Sequence, residues 1–200
     1  MFTGLIEALG KVVSLDAGRG QSRLVLAIPF ASELTLGDSV AVNGCCLTVA
    51  AIDGEQIAFD LLAQTLDVTS LRGLTSGMLV NLERAMKASD RFGGHFVQGH
   101  IDAVGHIRGI EARGQDHVVD VELPEKIARL CIEKGSLAID GISLTIASLK
   151  GSIATFWITP HTWQHTNLQA AQVGHRVNLE ADMLAKHVDS LLAARLNAGT

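Results

Sequence analysis

The sequence predicts an all-β chain of two similar barrels in tandem, followed by a C-terminal α-helix. Three observations predict it. The chain repeats itself once, each copy is a run of short β-prone segments broken by turn formers, and the last residues change to helical spacing.

The repeat comes first, because it sets the architecture. One register shift lays Asn43-Gly44-Cys45-Cys46-Leu47-Thr48-Val49 on Asp140-Gly141-Ile142-Ser143-Leu144-Thr145-Ile146. The same shift carries Gly54 onto Gly151, Phe59 onto Phe156, Thr65 onto Thr162, and Val80-Asn81-Leu82-Glu83 onto Val177-Asn178-Leu179-Glu180. A slightly shorter shift sets Gly4, Ile6 and Gly10 on Gly99, Ile101 and Gly105, so a small change in loop length separates the copies. The boundary falls in Ser89-Asp90-Arg91-Phe92-Gly93-Gly94, a polar, glycine-bearing stretch suited to a linker. This predicts domains at 1–92 and 93–183, with a helical tail at 184–200.

Within the first copy, Leu24–Ile28, Ser39–Val42, Cys46–Val49 and Gln56–Phe59 read as strands, separated by turn formers such as Leu36-Gly37-Asp38. Asp53-Gly54 and Lys150-Gly151 stand where a hairpin needs the positive φ that glycine adopts freely. Short strands in a small unit close into a barrel and so lose their exposed edges. From Asp182 onward, Leu184, Val188, Leu191, Leu192 and Leu196 recur on one helical face, with Lys186, Asp189 and Arg195 elsewhere. That stripe packs either on a barrel of its own chain or on matching helices of other subunits, and the pattern leaves both open.

Composition narrows the partners. A formal charge of −5 and the lack of a Lys/Arg cluster disfavour a nucleic-acid surface, because phosphate neutralisation supplies most of that affinity. No apolar run is long enough to span a bilayer, and Met1-Phe2-Thr3-Gly4 does not look like a secretory leader, so a cytoplasmic protein with a small-molecule ligand is expected. Three cysteines, Cys45, Cys46 and Cys131, do not suggest a disulfide framework. A metal site is not expected either: the His161/His165 pair has no C-x-x-C partner, and His106, His117, His175 and His187 are scattered.

Three places could carry chemistry. Cys46 aligns with Ser143, each followed by Leu-Thr, and strand alternation points Cys46 with Thr48 and Ser143 with Thr145. Taken alone, these residues also fit a small buried thiol and a satisfied hydroxyl. Gly93-Gly94-His95 and Gly99-His100 set two imidazoles beside glycines, suited to acid–base work or to ligand hydrogen bonds, although structural histidines are common. Asp60-Leu61-Leu62-Ala63-Gln64-Thr65 and Trp157-Ile158-Thr159-Pro160-His161-Thr162 occupy equivalent positions running from strand into turn. Their backbone groups and hydroxyls suit the edge of a heterocycle, whereas Trp157 also fits core packing.

Together, Met1-Phe2-Thr3-Gly4-Leu5-Ile6-Glu7, Asn43–Val49, Gly93-Gly94-His95, Gly99-His100-Ile101 and Asp140–Thr145 resemble the riboflavin synthase family over nearly the whole chain. The resemblance implies two six-stranded closed Greek-key barrels, each holding one 6,7-dimethyl-8-ribityllumazine, and a homotrimer formed with the C-terminal helix. Each active site would lie between the N-terminal barrel of one subunit and the C-terminal barrel of the next. It implies ligand contacts at Gly4, Leu5, Ile6, Cys46, Leu47, Thr48 and Asp60 to Thr65 in the first barrel. In the second it implies Gly99, His100, Ile101, Lys134, Ser143, Leu144, Thr145 and Trp157 to Thr162. Two departures fall in one loop: Trp163, where the family more usually has leucine, and His161, where relatives can carry glutamate.

The family's reaction is a dismutation in which one lumazine gives a four-carbon unit to the other, leaving riboflavin and 5-amino-6-ribitylamino-pyrimidinedione, with no redox cofactor or metal. By resemblance, His100 transfers the proton from the C7 methyl, Cys46 and Ser39 polarise or activate one lumazine, and Ser143 with Thr145 holds the other. Three rivals are weighed. A non-catalytic lumazine- or flavin-binding protein of the same fold is disfavoured by Cys46, His100 and Ser143. A flavin-binding oxidoreductase barrel is disfavoured by the lack of a G-x-G-x-x-G after a strand. An oligonucleotide-binding barrel is disfavoured by acidity and an aromatic content of 4%.

Overall fold

The computed structural model describes residues 1–18 and 22–198, the side chains of 196–198 excepted. The first copy supplies β1 (Ala8–Ala17), β2 (Ser22–Ala27), β3 (Ser39–Val42), β4 (Cys45–Asp53), β5 (Gln56–Leu61) and β6 (Leu79–Arg84). They close in the order β1-β2-β5-β4-β3-β6. The second copy supplies β7 (Ala103–Arg113), β8 (Asp116–Glu122), β9 (Ser136–Ile139), β10 (Ile142–Lys150), β11 (Ile153–Ile158) and β12 (Arg176–Ala181). Its closed order, β7-β8-β11-β10-β9-β12, is the same permutation, a Greek-key path in which neighbours are not all consecutive.

Alternation explains the interiors: Ser22, Leu24 and Leu26 of β2 are buried while Arg23, between Ser22 and Leu24, faces out and Val25 is half-buried. The aligned Phe59 and Phe156, both fully buried, fill equivalent places in the two cores. Bulges recur at matched points, Val12/Ser14 with Ile107/Gly109 and Val49/Ala51 with Ile146/Ser148, and sharpen the bends that barrel closure needs. Gly54 and Gly151 take φ of 59° and 60° at the expected hairpins. The turns expected after β5 and β11 are short helices, α1 (Ala63–Val68) and, beyond α2 (Glu125–Ala128), α3 (Pro160–His165).

The terminal helix α4 (Met183–Ala198) forms as its spacing predicts. Leu184, Val188, Leu191 and Leu192 remain 56–68% exposed, so the chain's own barrels do not cover the stripe. The expected contribution of Leu196 lies outside the described side chains, and residues 199–200 lie outside the described residues.

The barrels meet about a pseudo-twofold axis at two glycine turns. Asn43-Gly44 joins β3 to β4 and Asp140-Gly141 joins β9 to β10, with positive φ at both positions of each, as a type I′ turn requires. A Cβ on Gly44 would stand 2.6 Å from the Gly141 nitrogen, and one on Gly141 would stand 2.7 Å from the Gly44 nitrogen. Amides secure the junction reciprocally: Asn81 Nδ2 donates to the Asp140 carbonyl and Asn178 Nδ2 to the Asn43 carbonyl. Asp140 is buried, and burial raises its carboxyl to about 6 despite hydrogen bonds from the Asn178 backbone and the Asn167 side chain.

Candidate active site between the copies

The segments ahead of the barrels, Phe2–Ile6 and Val97–Ile101, meet at their starts, where Phe2 and Val97 form an antiparallel bridge on the pseudo-twofold axis. Phe2 and Val97 exchange backbone hydrogen bonds of 2.7 and 3.2 Å and are buried with Ala41 and Ala138. From there each segment crosses to the other copy's barrel. The Gly4 carbonyl accepts from the Ser143 backbone N–H at 2.8 Å, and the Gly99 carbonyl accepts from that of Cys46 at 2.9 Å. Ile6 packs on the second core and Ile101 on the first.

This crossing corrects the barrel assignment implied by the resemblance. Gly99, His100 and Ile101 belong beside Cys46, and Gly4, Leu5 and Ile6 beside Ser143. Close approach forces glycine at both crossings: a Cβ on Gly4 would stand 2.7 Å from the Ser143 Cβ, and one on Gly99 would stand 2.5 Å from that of Cys46. Both glycines also have positive φ, 79° and 83°.

Two buried carboxylates hold these segments. Glu83 accepts from the backbone N–H of Thr3 (2.6 Å) and Gly4 (2.9 Å) and from the Thr3 hydroxyl (2.8 Å). Glu180 accepts from the backbone N–H of Gln98 (2.7 Å), Gly99 (2.9 Å) and His100 (3.1 Å). Burial raises both carboxyls, and these donors pull them back toward the charged form. Sequence reasoning missed both residues. The signal was present, because Val-Asn-Leu-Glu recurs in the two copies with a glutamate directly after the core leucine, Leu82 in one and Leu179 in the other.

Behind Ser143 stands His95, its Nδ1 2.7 Å from Oγ. Burial lowers the proton affinity of this imidazole, with Asp182 pulling weakly the other way, so the neutral ring is favoured. Gly94 makes this placement possible, since a Cβ there would stand 2.0 Å from the Thr3 carbonyl oxygen. By contrast, the His100 side chain is exposed to solvent while its backbone is tied to Glu180.

The two strand-to-helix segments stand at equivalent places, at the ends of β5 and β11. Register between β4 and β5 runs from Asp53↔Gln56 to Val49↔Phe59, and between β10 and β11 from Lys150↔Ile153 to Ile146↔Phe156. Cys46–Thr48 and Ser143–Thr145 thus lie beyond the registered pairing with β5 and β11. Ser39 pairs with Thr48 across β3 and β4, and Ser136 with Thr145 across β9 and β10. Within the strand-to-helix segments Leu62 and Trp157 are 73% and 56% exposed, and Ala63, Gln64, Thr159 and His161 are also exposed, with Thr65, Pro160 and Thr162 half-buried.

Leu47, Leu61 and Ile158 instead turn their side chains into the cores, as alternation dictates, and Leu144 packs partly on the second core. Asp60 is engaged with Arg23 at 2.7 Å. Exposed Lys134 adopts φ 66° where the first copy has Gly37, an uncommon conformation for a side chain of this size. Trp163 stacks on His117 at 3.8 Å and 2°, and His161 stacks on His165. Ser39 and Leu5 also border a cavity of about 570 Å³ with Glu83, Arg84 and Lys87.

Comparison with known proteins agrees with this doubled arrangement. The family model of the lumazine binding domain matches residues 3–85 and again 98–182. The riboflavin synthase of Mycobacterium tuberculosis (strain ATCC 25618 / H37Rv) is 43% identical over 199 residues, covering 96% of this chain and 98% of the relative. That of Bacillus subtilis (strain 168) is 40% identical over 189 residues, covering 94% and 88%. Among solved structures, LumP complexed with 6,7-dimethyl-8-(1'-D-ribityl) lumazine superposes with a TM-score of 0.83 at 25% identity, over 90% of this chain and 99% of that one. LumP complexed with riboflavin gives 0.85 over the same shares. With two lumazine-binding domains in one chain and relatives of this identity along nearly its full length, the chain belongs to the riboflavin synthase family.

Proposed function

We propose that the protein makes riboflavin by dismutation of two 6,7-dimethyl-8-ribityllumazine molecules, transferring a four-carbon unit and releasing 5-amino-6-ribitylamino-pyrimidinedione. The observation that carries the reading is the paired site: Gly99 on Cys46 in one barrel, Gly4 on Ser143 in the other. Joining two copies of one molecule calls for two similar pockets, and holding both reactants turns a bimolecular encounter into a near-intramolecular step. Redox cofactors and metals have no part in this scheme.

One lumazine must lose a proton from its C7 methyl, and the other must become electrophilic at C7. His100 is assigned to proton transfer, Cys46 with Ser39 to activating one lumazine, and Ser143 with Thr145 to holding the other. The His95–Ser143 contact adds a role: a neutral imidazole at 2.7 Å can accept the hydroxyl proton, so that Ser143 Oγ can itself take one from a bound ligand. The remaining contacts are assigned to Leu5, Ile6, Leu62 to Thr65, Ile101, Lys134 and Trp157 to Thr162, with Leu47, Leu61, Leu144 and Ile158 contributing backbone.

We further place the working enzyme in a homotrimer. The uncovered stripe on α4 supports helix association between subunits, with sites formed by the N-terminal barrel of one and the C-terminal barrel of the next. A cytoplasmic location is proposed on the three free thiols, which suit a reducing compartment. Among the described residues, no helix is long and apolar enough to cross a membrane.

A binding protein without turnover is the second reading, favoured by the likeness to LumP in complex with its ligands. The higher identity to riboflavin synthases weighs against it. The test is to incubate purified protein with the lumazine alone: riboflavin should accumulate, and Ser143→Ala should slow it while lumazine fluorescence still reports binding. Bound lumazine that persists unchanged in the wild type would favour the second reading.

A further inference from the structure

Each crossing segment ends on an acid, Glu7 in the first copy and Asp102 in the second, equivalent under the shift that aligns Gly4 with Gly99. In the first copy Arg84, at the end of β6, donates its backbone N–H to Glu7 Oε1 (2.8 Å) and its Nε to Oε2 (2.7 Å). In the second copy Ala181 stands at the place of Arg84. Its N–H still donates to Asp102 Oδ2 at 2.9 Å, but it has no cation to complete the pair.

Helix α4 supplies that cation. Lys186 Nζ donates to Asp102 Oδ2 and Oδ1 at 2.8 and 3.1 Å, and only 26% and 25% of the two side chains are exposed. A second tie, Arg129 to Asp189 at 2.8 Å, holds the same helix against the second barrel. Asp102 follows Gln98–Ile101, the segment that lies on Cys46 and that Glu180 clamps through three N–H groups. An arginine strut internal to the first copy is therefore replaced, in the second, by a lysine from the element that carries the exposed apolar stripe.

We propose that Lys186 is a positioning residue for the site at Cys46: by holding Asp102 it holds Gly99, His100 and Ile101 in place, so that α4 joins an assembly surface to the reaction centre. The turnover part of this claim rests on the function proposed above; the placement part does not.

The test uses the full chain with Lys186→Met, Lys186→Arg and Asp102→Asn. Lys186→Met and Asp102→Asn should speed amide hydrogen exchange at Gly99 and His100 about tenfold, because the strut opposes local opening. They should lower kcat about tenfold with little change in KM, as loss of positioning does. Lys186→Arg should restore both, and sedimentation should show assembly unchanged throughout. Should Lys186→Met fail to fold, Lys186→Gln takes its place. Exchange and kcat within about twofold of wild type would overturn the proposal, as would a kcat loss that only follows loss of assembly. If the wild type forms no riboflavin, the function fails while the exchange result still decides the placement.

Discussion

Replacing Gly99 by alanine probes the crossing where it is tightest. The added Cβ would stand 2.5 Å from the Cys46 Cβ and 2.9 Å from the Cys46 nitrogen. Carbon atoms rest at about 3.5–4.0 Å, so the segment must retreat by roughly 1 Å. A side chain at φ 83° adds about 1–3 kcal/mol of backbone strain, and overpacking adds a further 1–3 kcal/mol or so. The expected loss is about 2–6 kcal/mol, a large share of a typical domain's stability. Urea unfolding reads this directly, and lumazine turnover should fall about a hundredfold in the fraction that remains folded, because a misplacement of this size disturbs the reacting geometry. Gly54→Ala is the control: its φ is 59°, but nothing lies within 4 Å of the new Cβ, so it should show strain alone and normal turnover. If Gly99→Ala matched Gly54→Ala in both assays, the packing of Gly99 on Cys46 would not matter and the reasoning would fail.

Asp140 gives a pH test. Its folded carboxyl, near 6, lies above the ordinary 3.8, so the native state keeps a proton that the unfolded chain has lost, and stability falls as pH rises from about 4 to 6. Between pH 4 and 7 the wild type should lose about 2 kcal/mol relative to Asp140→Asn, by chemical denaturation at each pH; parallel pH curves for the two proteins would contradict the assignment. Glu180→Gln removes the charge that three N–H groups share. It should cost about 2–3 kcal/mol in thermal unfolding and loosen the Gly99 segment, whereas an unchanged midpoint would show the clamp to be dispensable. Val188→Asp with Leu191→Asp, on the exposed face of α4, should leave the barrels' far-UV signal intact and shift sedimentation to monomer. Assembly that survives both substitutions would place the interface elsewhere.

Much of the fold was legible because duplication and alternation are local patterns. The aligned Phe59 and Phe156, the glycine hairpins and the α4 stripe could each be read from neighbours in the chain. The same alternation places Leu47, Leu61 and Ile158 inside, and a strict period-two count would have separated them from the outward-facing Thr48 and Trp157. Asn43-Gly44 and Asp140-Gly141 carried a strong turn signal, but nothing local says that the two turns pack against each other. The crossing was hidden for the same reason: a repeat alignment pairs Gly4 with Gly99 without showing which barrel either one touches. His95 and Ser143 are far apart in the chain, and only the folded path through Gly94 brings them together.

The most direct measurement of the central claim is the ratio of lumazine consumed to riboflavin formed by purified protein with nothing else added. Two paired pockets working on like molecules predict two to one, with the pyrimidinedione rising in step with riboflavin. Conversion that needs a second reagent, or a ratio of one to one, would contradict it.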